Sequence, residues 1–516
     1  MNFSLLRTQA DLTDWREQQG CEVGFVPTMG SLHAGHGELI KTASKSEGAK
    51  RQKVIVSIFV NPLQFGPKED FLTYPRDLDS DIQFSKDFGA NAIWIPSIEE
   101  IFPEGPENQC SLKAPKNLKK HLCGSTRKGH FDGVCTIMFK LLKLIKPNSV
   151  VLGEKDWQQL IIIKRLIVDF GMDINVKSVR TIRDFDGLAL SSRNRYLNKE
   201  ERIKSSALPR ILKQASTNLL ENQVLNLNQI KIELEKSGLE VEYIEQVNPW
   251  TLQPIRGSKN ISLLAAAVYC GQTRLIDHAF LMTNKPIVAI DGPAGAGKST
   301  VTKGIAKRLG LVYLDTGAMY RAVTWFLLEK NIDLNKELDL VDALEKINLE
   351  IESDSNDQQR VKVNGYDVTG LIRSPEVTSK VSKIATFESV RKLLTDQQKI
   401  IGRKGGIVAE GRDIGTTVFP NAELKIFLTA SPMERAKRRF LDLEKQGFKT
   451  PDLKELESQI KERDKTDQER KLSPLLKAED AIEIVTDGLN IDEVINKIIS
   501  LFQNKIPEEV WRESIN

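Results

Sequence analysis

Apolar and polar positions along this chain form two successive waves, each alternating short apolar runs with longer amphipathic stretches. In the first wave Glu22–Pro27, Val54–Val60, Ala92–Pro96, Ser149–Leu152 and Ile174–Val179 are β-rich runs of strand length. Between most of them lie stretches of helical period, notably Leu78–Phe88, Val134–Lys146 and Asp156–Phe170. Strands alternating with helices predict a largely parallel sheet. From Lys199 the pattern changes: a charged helical stretch reaches about Asn222, another spans Leu227–Ser237, and β-like runs follow at Glu240–Gln246 and Ile261–Tyr269. That pattern predicts a smaller α+β appendage over 181–283, behind an α/β domain over 1–180.

A polar breaker, Thr283-Asn284-Lys285-Pro286, precedes the second wave. It predicts strands at Ile287–Ile290, Leu311–Leu314, Gly406–Ala409, Leu424–Thr429 and Ile482–Val485. Helices are expected from Lys298, over Met319–Lys330, and over 432–446, 452–470 and 491–503. The polar stretch 350–375, containing Glu352-Ser353-Asp354-Ser355-Asn356-Asp357, reads as a hairpin-bearing insert. Two α/β proteins in one chain, joined near 284, is the simplest account.

Length and composition narrow the classes. At about 100–200 residues per domain, 516 residues make roughly three or four domains. Lys and Arg total 74 against 70 Asp and Glu, so the net charge of +4 gives no drive toward nucleic acid. The longest apolar stretch, Ile261–Cys270, is far shorter than a membrane span requires. The first residues lack a cationic segment followed by an apolar core, so no secretory signal is expected. Five cysteines without a CxxC pair argue against a disulfide framework and for a reducing, cytoplasmic location. All five His and all five Cys lie at or before His278. Chemistry in the back half therefore excludes histidine bases, thiol nucleophiles and Cys/His metal sites.

The back half opens on Gly292-Pro293-Ala294-Gly295-Ala296-Gly297-Lys298-Ser299-Thr300, a G-x4-G-K-[ST] loop between a strand and a helix. The glycines let backbone N–H groups surround phosphate oxygens at the positive end of the helix. Lys298 reaches the β- and γ-phosphates, and the Ser299 hydroxyl is a Mg2+ ligand. No N-K-x-D guanine reader follows, and in place of the apolar strand ending in an acidic pair that a motor ATPase carries there is only Leu314-Asp315, which runs straight into Thr316-Gly317. Arginines are frequent instead, and phosphoryl transfer needs positive clamps more than bases.

Three ordered motifs, Asp315-Thr-Gly-Ala-Met-Tyr320-Arg321, Glu410-Gly-Arg412-Asp413-Ile-Gly-Thr416 and Glu462-Arg463-Asp-Lys-Thr-Asp467-Gln-Glu-Arg470, resemble the cytidylate kinase family over about 286–503. The resemblance implies a P-loop nucleoside monophosphate kinase fold over 284–516, with a CMP-binding insert at about 345–390 and a lid at about 447–475. It implies CMP contacts from Ser382, Arg391, Arg412 and Asp413, with Thr316, Tyr320 and Arg321 alongside. Arg463 and Arg470 would clamp phosphates, and Asp467 the sugar. Thr316 stands where a serine is expected and keeps the hydroxyl.

In the front half, Met29-Gly30-Ser31-Leu32-His33-Ala34-Gly35-His36 follows the first long apolar run and opens a helix. Imidazoles at i and i+3 share a face of the first turn, where they can donate to triphosphate oxygens. This H-x-G-H pattern marks attack at an α-phosphate. Leu190-Ser191-Ser192-Arg193 supplies a second polar loop able to neutralise a departing pyrophosphate.

Those segments resemble pantothenate synthetase (pantoate–β-alanine ligase) over about residues 3–282. So do Phe59-Val-Asn61-Pro-Leu-Gln64-Phe65 with Tyr74-Pro-Arg-Asp77, Gly129-His130-Phe-Asp-Gly-Val134, and Gly153-Glu154-Lys155-Asp156-Trp157-Gln158-Gln159-Leu160. The resemblance implies a Rossmann-like nucleotidyltransferase fold that condenses pantoate with β-alanine through a pantoyl adenylate. His36 would donate a proton. His33, Lys155 and Arg193 would steady the phosphates. Asp156 would meet either the ribose or the metal-bound phosphates. The ATP site would comprise Met29 through His36, Gly153 through Asp156, Ile182 and Leu190 through Arg193. Asn61, Gln64 and Gln159 would take pantoate and β-alanine. Lys128 departs from the proline expected in the turn before His130. The cluster His121, Cys123, His130 and Cys135 has no common zinc spacing.

The expectation is thus a bifunctional enzyme using Mg2+ with ATP at both sites, and no zinc, haem or flavin. The partners expected are small molecules (pantoate, β-alanine, ATP, CMP), with neither nucleic acid nor membrane, and the ligase family suggests a homodimer. The alternative is another H-x-G-H nucleotidyltransferase fused to a regulatory P-loop module, which would not need Arg391, Arg412, Asp413, Arg463 and Arg470.

Overall fold

The computed structural model describes residues 3–45, 52–67, 69–221, 224–255, 261–333, 337–353, 359–445, 450–470 and 472–507. The chain divides into two compact units, Met1–Thr283 and Asn284–Asn516. No helix among the described residues is long and apolar enough to cross a membrane.

Unit one is built on strands β1 (Ser4–Leu6), β2 (Val23–Thr28), β3 (Lys53–Ile58), β4 (Ala92–Trp94), β5 (Ser149–Gly153) and β6 (Asn175–Val179). They form one sheet in the order β1-β4-β3-β2-β5-β6, and every pair is parallel. The continuous apolar runs of β2 and β3 suit strands covered on both faces; Phe25, Val26, Ile55 and Val56 are fully buried. Helices Ala34–Ala43 and Trp157–Asp169 follow β2 and β5 closely, and helix His130–Ile145 leads into β5. Strand order reverses between β2 and β5, so a crevice opens at their carboxyl ends, where open α/β sheets bind ligands. β1 is an edge strand of three residues, too short to carry a periodic signal.

The appendage is an antiparallel sheet of β7 (Glu240–Val247), β8 (Ile261–Cys270) and β9 (Thr273–Met282), packed against helices Ala207–Leu220 and Leu227–Lys236. The charged stretch read as one helix is two, Lys199–Ser205 and Ala207–Leu220. β9 escaped the sequence reading because buried Asp277 and His278 interrupt its apolar alternation.

Unit two contains β10 (Ile287–Asp291) and β11 (Val312–Asp315), then an antiparallel insert of β12 (Leu349–Ser353), β13 (Gln359–Val363) and β14 (Tyr366–Asp367). β13 turns into β14 through Asn364-Gly365, at φ 50° and 81°, the backbone a tight two-residue hairpin requires. Of the predicted insert, residues 354–358 lie outside the described residues, as do Asn222, 446–449 and 471 at other expected boundaries. Strands β15 (Ile407–Gly411), β16 (Leu424–Thr429) and β17 (Ile482–Val485) complete a parallel sheet in the order β11-β15-β10-β16-β17. The phosphate-loop strand β10 is therefore central. Helices Glu337–Leu344, Pro375–Ile384 and Glu388–Ile401 surround the insert and were not predicted.

Candidate active sites

The H-x-G-H loop leaves β2 through Gly30, at φ 84°, and Ser31, at φ 54°. The backbone N–H groups of Ser31 and Leu32 donate to the buried Asp81 carboxylate at 2.8 and 2.7 Å, which holds this left-handed turn in place. His33 caps helix Ala34–Ala43, its Nδ1 accepting from Gly35 N at 3.2 Å, while His36 Nδ1 accepts from His33 N at 3.3 Å. With Nδ1 an acceptor in both rings, the neutral proton sits on Nε2, so each imidazole presents an N–H donor away from the backbone. Burial, together with Lys155, lowers His33 to about 4; burial, His33 and Lys155 lower His36 to about 3. Neutral donors, rather than imidazolium ions, therefore stand here near pH 7. A Cβ on Gly35 would come within 2.9 Å of the His33 ring and touch Ile182, which places Ile182 beside this loop.

Asn61 caps the turn Pro62–Gln64 and donates to Gln64 Oε1 and Gly133 O, both at 3.2 Å, while Gln64 Nε2 donates to Met29 Sδ. A Cβ on Gly133 would lie 2.1 Å from Leu63 O, so only glycine lets helix His130–Ile145 approach this turn. Gln159 lines the adjoining cleft with Lys155 and Asp156. Its neighbour Gln158 is occupied by the Leu118 and His121 carbonyls. Leu190 N donates to Ile182 O at 2.9 Å, tying the two ends of the segment before the Ser191-Ser192-Arg193 loop.

Four contacts went unseen in the sequence. Arg193 is bidentate with Asp70, Arg127 with Glu69, Tyr74 OH meets Ser192 Oγ at 3.2 Å, and Arg127 reaches His130, whose Nδ1 bonds Gln64 O. Within the His and Cys cluster without zinc spacing, His121 binds Glu245, Cys123 meets Tyr243 OH, and His130 belongs to the Gln64 turn.

In unit two the phosphate loop runs from Gly292 to Thr300, with φ of 149°, 76° and 85° at Gly292, Gly295 and Gly297. At Gly292 a Cβ would meet Leu428 O at 2.0 Å. Lys298 is buried and donates to the Gly292 and Pro293 carbonyls, both at 2.7 Å. Arg435 braces the loop through Ala294 O and is bidentate with Asp464, so this arginine is a structural support.

The acidic residue that sequence reading missed is Glu410, near the end of β15 and next to the loop strand. It could have been found, since an apolar run ends in it. Oε1 accepts from Tyr313 OH, and Oε2 is buried without a hydrogen bond. Burial and Asp315 raise its pKa, opposed by Lys298, Tyr313 and Ser299. Asp291 accepts from Ile414 N and Gly415 N, and burial lifts it to about 6.

Arg412 and Asp413 do not pair with each other. Asp413 holds Arg391 at 2.9 Å, and Arg412 holds Asp467 at 3.1 Å. Arg391 also lies over the Tyr320 ring at 5.6 Å. Thr316 donates to Glu410 O, Arg321 pairs with Asp315, and Ser382 lies half-buried on helix Pro375–Ile384. Arg463 Nε, Arg470 Nη2 and Arg321 Nε are buried donors without acceptors. Burial and neighbouring arginines depress Arg463 and Arg470, so cations crowd here without enough counterions.

A family model for pantoate-beta-alanine ligase matches residues 4–280, and one for cytidylate kinase matches residues 288–504. A bifunctional pantoate ligase/cytidylate kinase of Prochlorococcus marinus is 56% identical over 514 residues, 99% of each chain. A protein of the same description from a Synechococcus species is 53% identical, over 94% of this chain and 99% of its own. The crystal structure of pantothenate synthetase from Thermus thermophilus matches 54% of this chain and 99% of its own, at 35% identity and a TM-score of 0.49. The chain belongs to the family of bifunctional pantoate ligase/cytidylate kinases, as the motifs in its two halves predicted.

Proposed function

We propose that unit one condenses pantoate with β-alanine at the expense of ATP, and that unit two transfers the γ-phosphate of ATP to CMP. In the first step of the ligase, the pantoate carboxylate attacks the α-phosphate, forming pantoyl adenylate and releasing pyrophosphate. The β-alanine amine then displaces AMP to form pantothenate. The observation that carries this reading is the pair of Nδ1-anchored imidazoles, which hold two Nε2–H donors at the crevice between β2 and β5. Such preset donors stabilise charge that develops on phosphate oxygens. His33, His36 and Lys155 bind the triphosphate, and Arg193 joins them on leaving Asp70. Asn61, Gln64 and Gln159 hold pantoate through neutral amides, which neither compete as nucleophiles nor bury a countercharge.

In the kinase, Lys298 and the loop amides cradle the ATP phosphates. Asp413 and Arg391 meet the CMP base, with Ser382, Thr316 and Tyr320 beside them. Arg463, Arg470, Arg412 and Arg321 neutralise the migrating phosphoryl group, and Asp467 takes the sugar. The buried donors without acceptors in this cluster support an anionic ligand. The Ser299 hydroxyl and the unpartnered Glu410 oxygen fit Mg2+, whose chemistry is to neutralise charge on the β- and γ-oxygens.

Incubating the protein with ATP, pantoate and β-alanine should yield pantothenate and AMP, and with ATP and CMP, CDP and ADP, identified by mass spectrometry. Lys298→Ala should abolish CDP formation and leave pantothenate formation intact. Loss of both activities together would overturn the assignment of one reaction to each unit.

A further inference from the structure

Among the imidazoles with no part in the reading above, that of His278 stands apart. His278 lies on β9 of the appendage with 4% of its surface exposed. Its ring is wedged between Trp157 and Phe280, with centroids 6.2 and 5.3 Å away. Its backbone N–H donates to Asp277, but neither ring nitrogen makes a hydrogen bond among the described residues. Those nitrogens are not sealed in the core either: the residue lines the cleft shared with Lys155, Asp156 and Gln159. A ring donor and acceptor left unpaired in a largely buried cleft are costly, so such groups ordinarily meet a ligand or water.

The placement of β9 narrows the ligand. β9 packs against both turns implicated in nucleotide binding, Glu154–Asp156 and Ser192–Tyr196. Asp277, the preceding residue, is bidentate with Arg183, next to Ile182. The cleft therefore faces the nucleotide from the appendage side.

Charge then selects the group. Burial drives His278 down to about 4, so near pH 7 it is a neutral ring offering one donor and one acceptor. Phosphate is already served by His33, His36, Lys155 and Arg193. A β-alanine zwitterion calls for formal charges, and the carboxylate beside His278 is committed to Arg183. Of the residues assigned to pantoate only Gln159 lines this cleft; Asn61 and Gln64 do not, nor does Met29. A hydroxyl that both donates and accepts is the complementary group, and the nucleotide carries two on its ribose.

We propose that His278 is a binding residue for the ribose hydroxyl edge of ATP in the ligase reaction, acting opposite Asp156. The appendage thus reads the sugar while the parallel-sheet domain reads the phosphates. This rests on the ligase reading above.

The test compares ATP with 2′-deoxy-ATP and 3′-deoxy-ATP in pantothenate formation by wild type, His278→Phe and His278→Asn. Phenylalanine keeps the ring packing, and asparagine keeps a donor and an acceptor. Wild type should prefer ATP over at least one deoxy analogue by about tenfold in kcat/KM, the scale of one hydrogen bond. His278→Phe should lose about tenfold with ATP, chiefly in KM, yet stay within about twofold of wild type with that analogue. His278→Asn should retain part of the preference. CMP phosphorylation should be unchanged in both variants. An equal loss with ATP and both analogues would make His278 merely structural and overturn the proposal, as would a shift confined to the β-alanine KM. Absence of pantothenate from the wild-type reaction would instead refute the ligase reading itself.

Discussion

Arg193 donates through Nε and Nη2 to both carboxylate oxygens of Asp70, at 2.8 and 2.7 Å. The adjacent Glu69 engages Arg127 in the same way. Two neighbouring acids on the loop after Gln64 thus hold two arginines of the ligase site. A triphosphate must compete with Asp70 for Arg193. The pair is partly exposed, so the exchange is worth about 1 kcal/mol, or roughly fivefold in affinity. Asp70→Asn should lower the ATP KM of the ligase by about that factor, and Arg193→Ala should raise it and reduce kcat. Both are best measured in a Lys298→Ala background, where pantothenate formation reports one ATP site. An unchanged or raised KM in Asp70→Asn would show that the acid positions Arg193 rather than competing for it.

Acid should affect the two units in opposite directions. Burial holds His33, His130 and His278 at about 4 and His36 at about 3, below the usual histidine value of about 6.5. Between those values the unfolded chain binds more protons than the folded one, so ligase stability is full above pH 6.5 and falls with acid. Each histidine costs on the order of 2–3 kcal/mol by pH 4. Unit two has no histidine, and its Asp291, raised to about 6, binds its proton more tightly when folded. That contribution is present below about pH 4 and is lost as pH rises through 6. Calorimetry from pH 7 to pH 5 should show the ligase transition moving down in temperature and the kinase transition holding, with CMP kinase activity outlasting pantothenate formation. A parallel decline would contradict the histidine argument.

Gly133 offers a local test of how pantoate is held. Its missing Cβ lets helix His130–Ile145 meet the Leu63 carbonyl, and the Gly133 carbonyl in turn anchors Asn61. Gly133→Ala must push the Pro62–Gln64 turn away, displacing Gln64. The pantoate KM should rise tenfold or more, with a smaller change for ATP and none in CMP phosphorylation. Steady-state kinetics with each substrate varied in turn will separate these outcomes.

These relationships mark where sequence reading ends. Continuous apolar strands such as Val54–Val60 and spaced motifs such as His33-Ala-Gly-His36 carry their own local signal, so the parallel sheets and both loops were legible. β9 was not, because its buried Asp277, paired with Arg183, and its buried His278 break the alternation a strand would show. Nor were Asp70 with Arg193, or Asp413 with Arg391, legible as pairs: they are 123 and 22 residues apart, and the chain gives no local sign of who meets whom. Adjacent in the chain, Arg412 and Asp413 are sent by β15 and the turn after it to different partners, Asp467 and Arg391.

Glu410 provides the last test. Its Oε2 is buried without a hydrogen bond beside Lys298 and the phosphate loop, a costly arrangement unless a cation or its bound water uses the oxygen. Glu410→Gln preserves shape and an acceptor for Tyr313 while removing the negative charge, so unit two should fold with little change in melting temperature. If Glu410 and Ser299 serve Mg2+, the concentration needed for half-maximal CDP formation should rise about tenfold, the scale of one weakened charged contact. The same shift should appear without turnover, in Mg2+-dependent binding of a fluorescent ATP analogue to a chain whose ligase site is blocked by His33→Ala and His36→Ala. The Mg2+ dependence of pantothenate formation, measured in Glu410→Gln alone, should not move. Identical Mg2+ curves in wild type and Glu410→Gln would instead assign the carboxylate to holding Tyr313, and the cost of its second oxygen would then be a local strain at the phosphate loop.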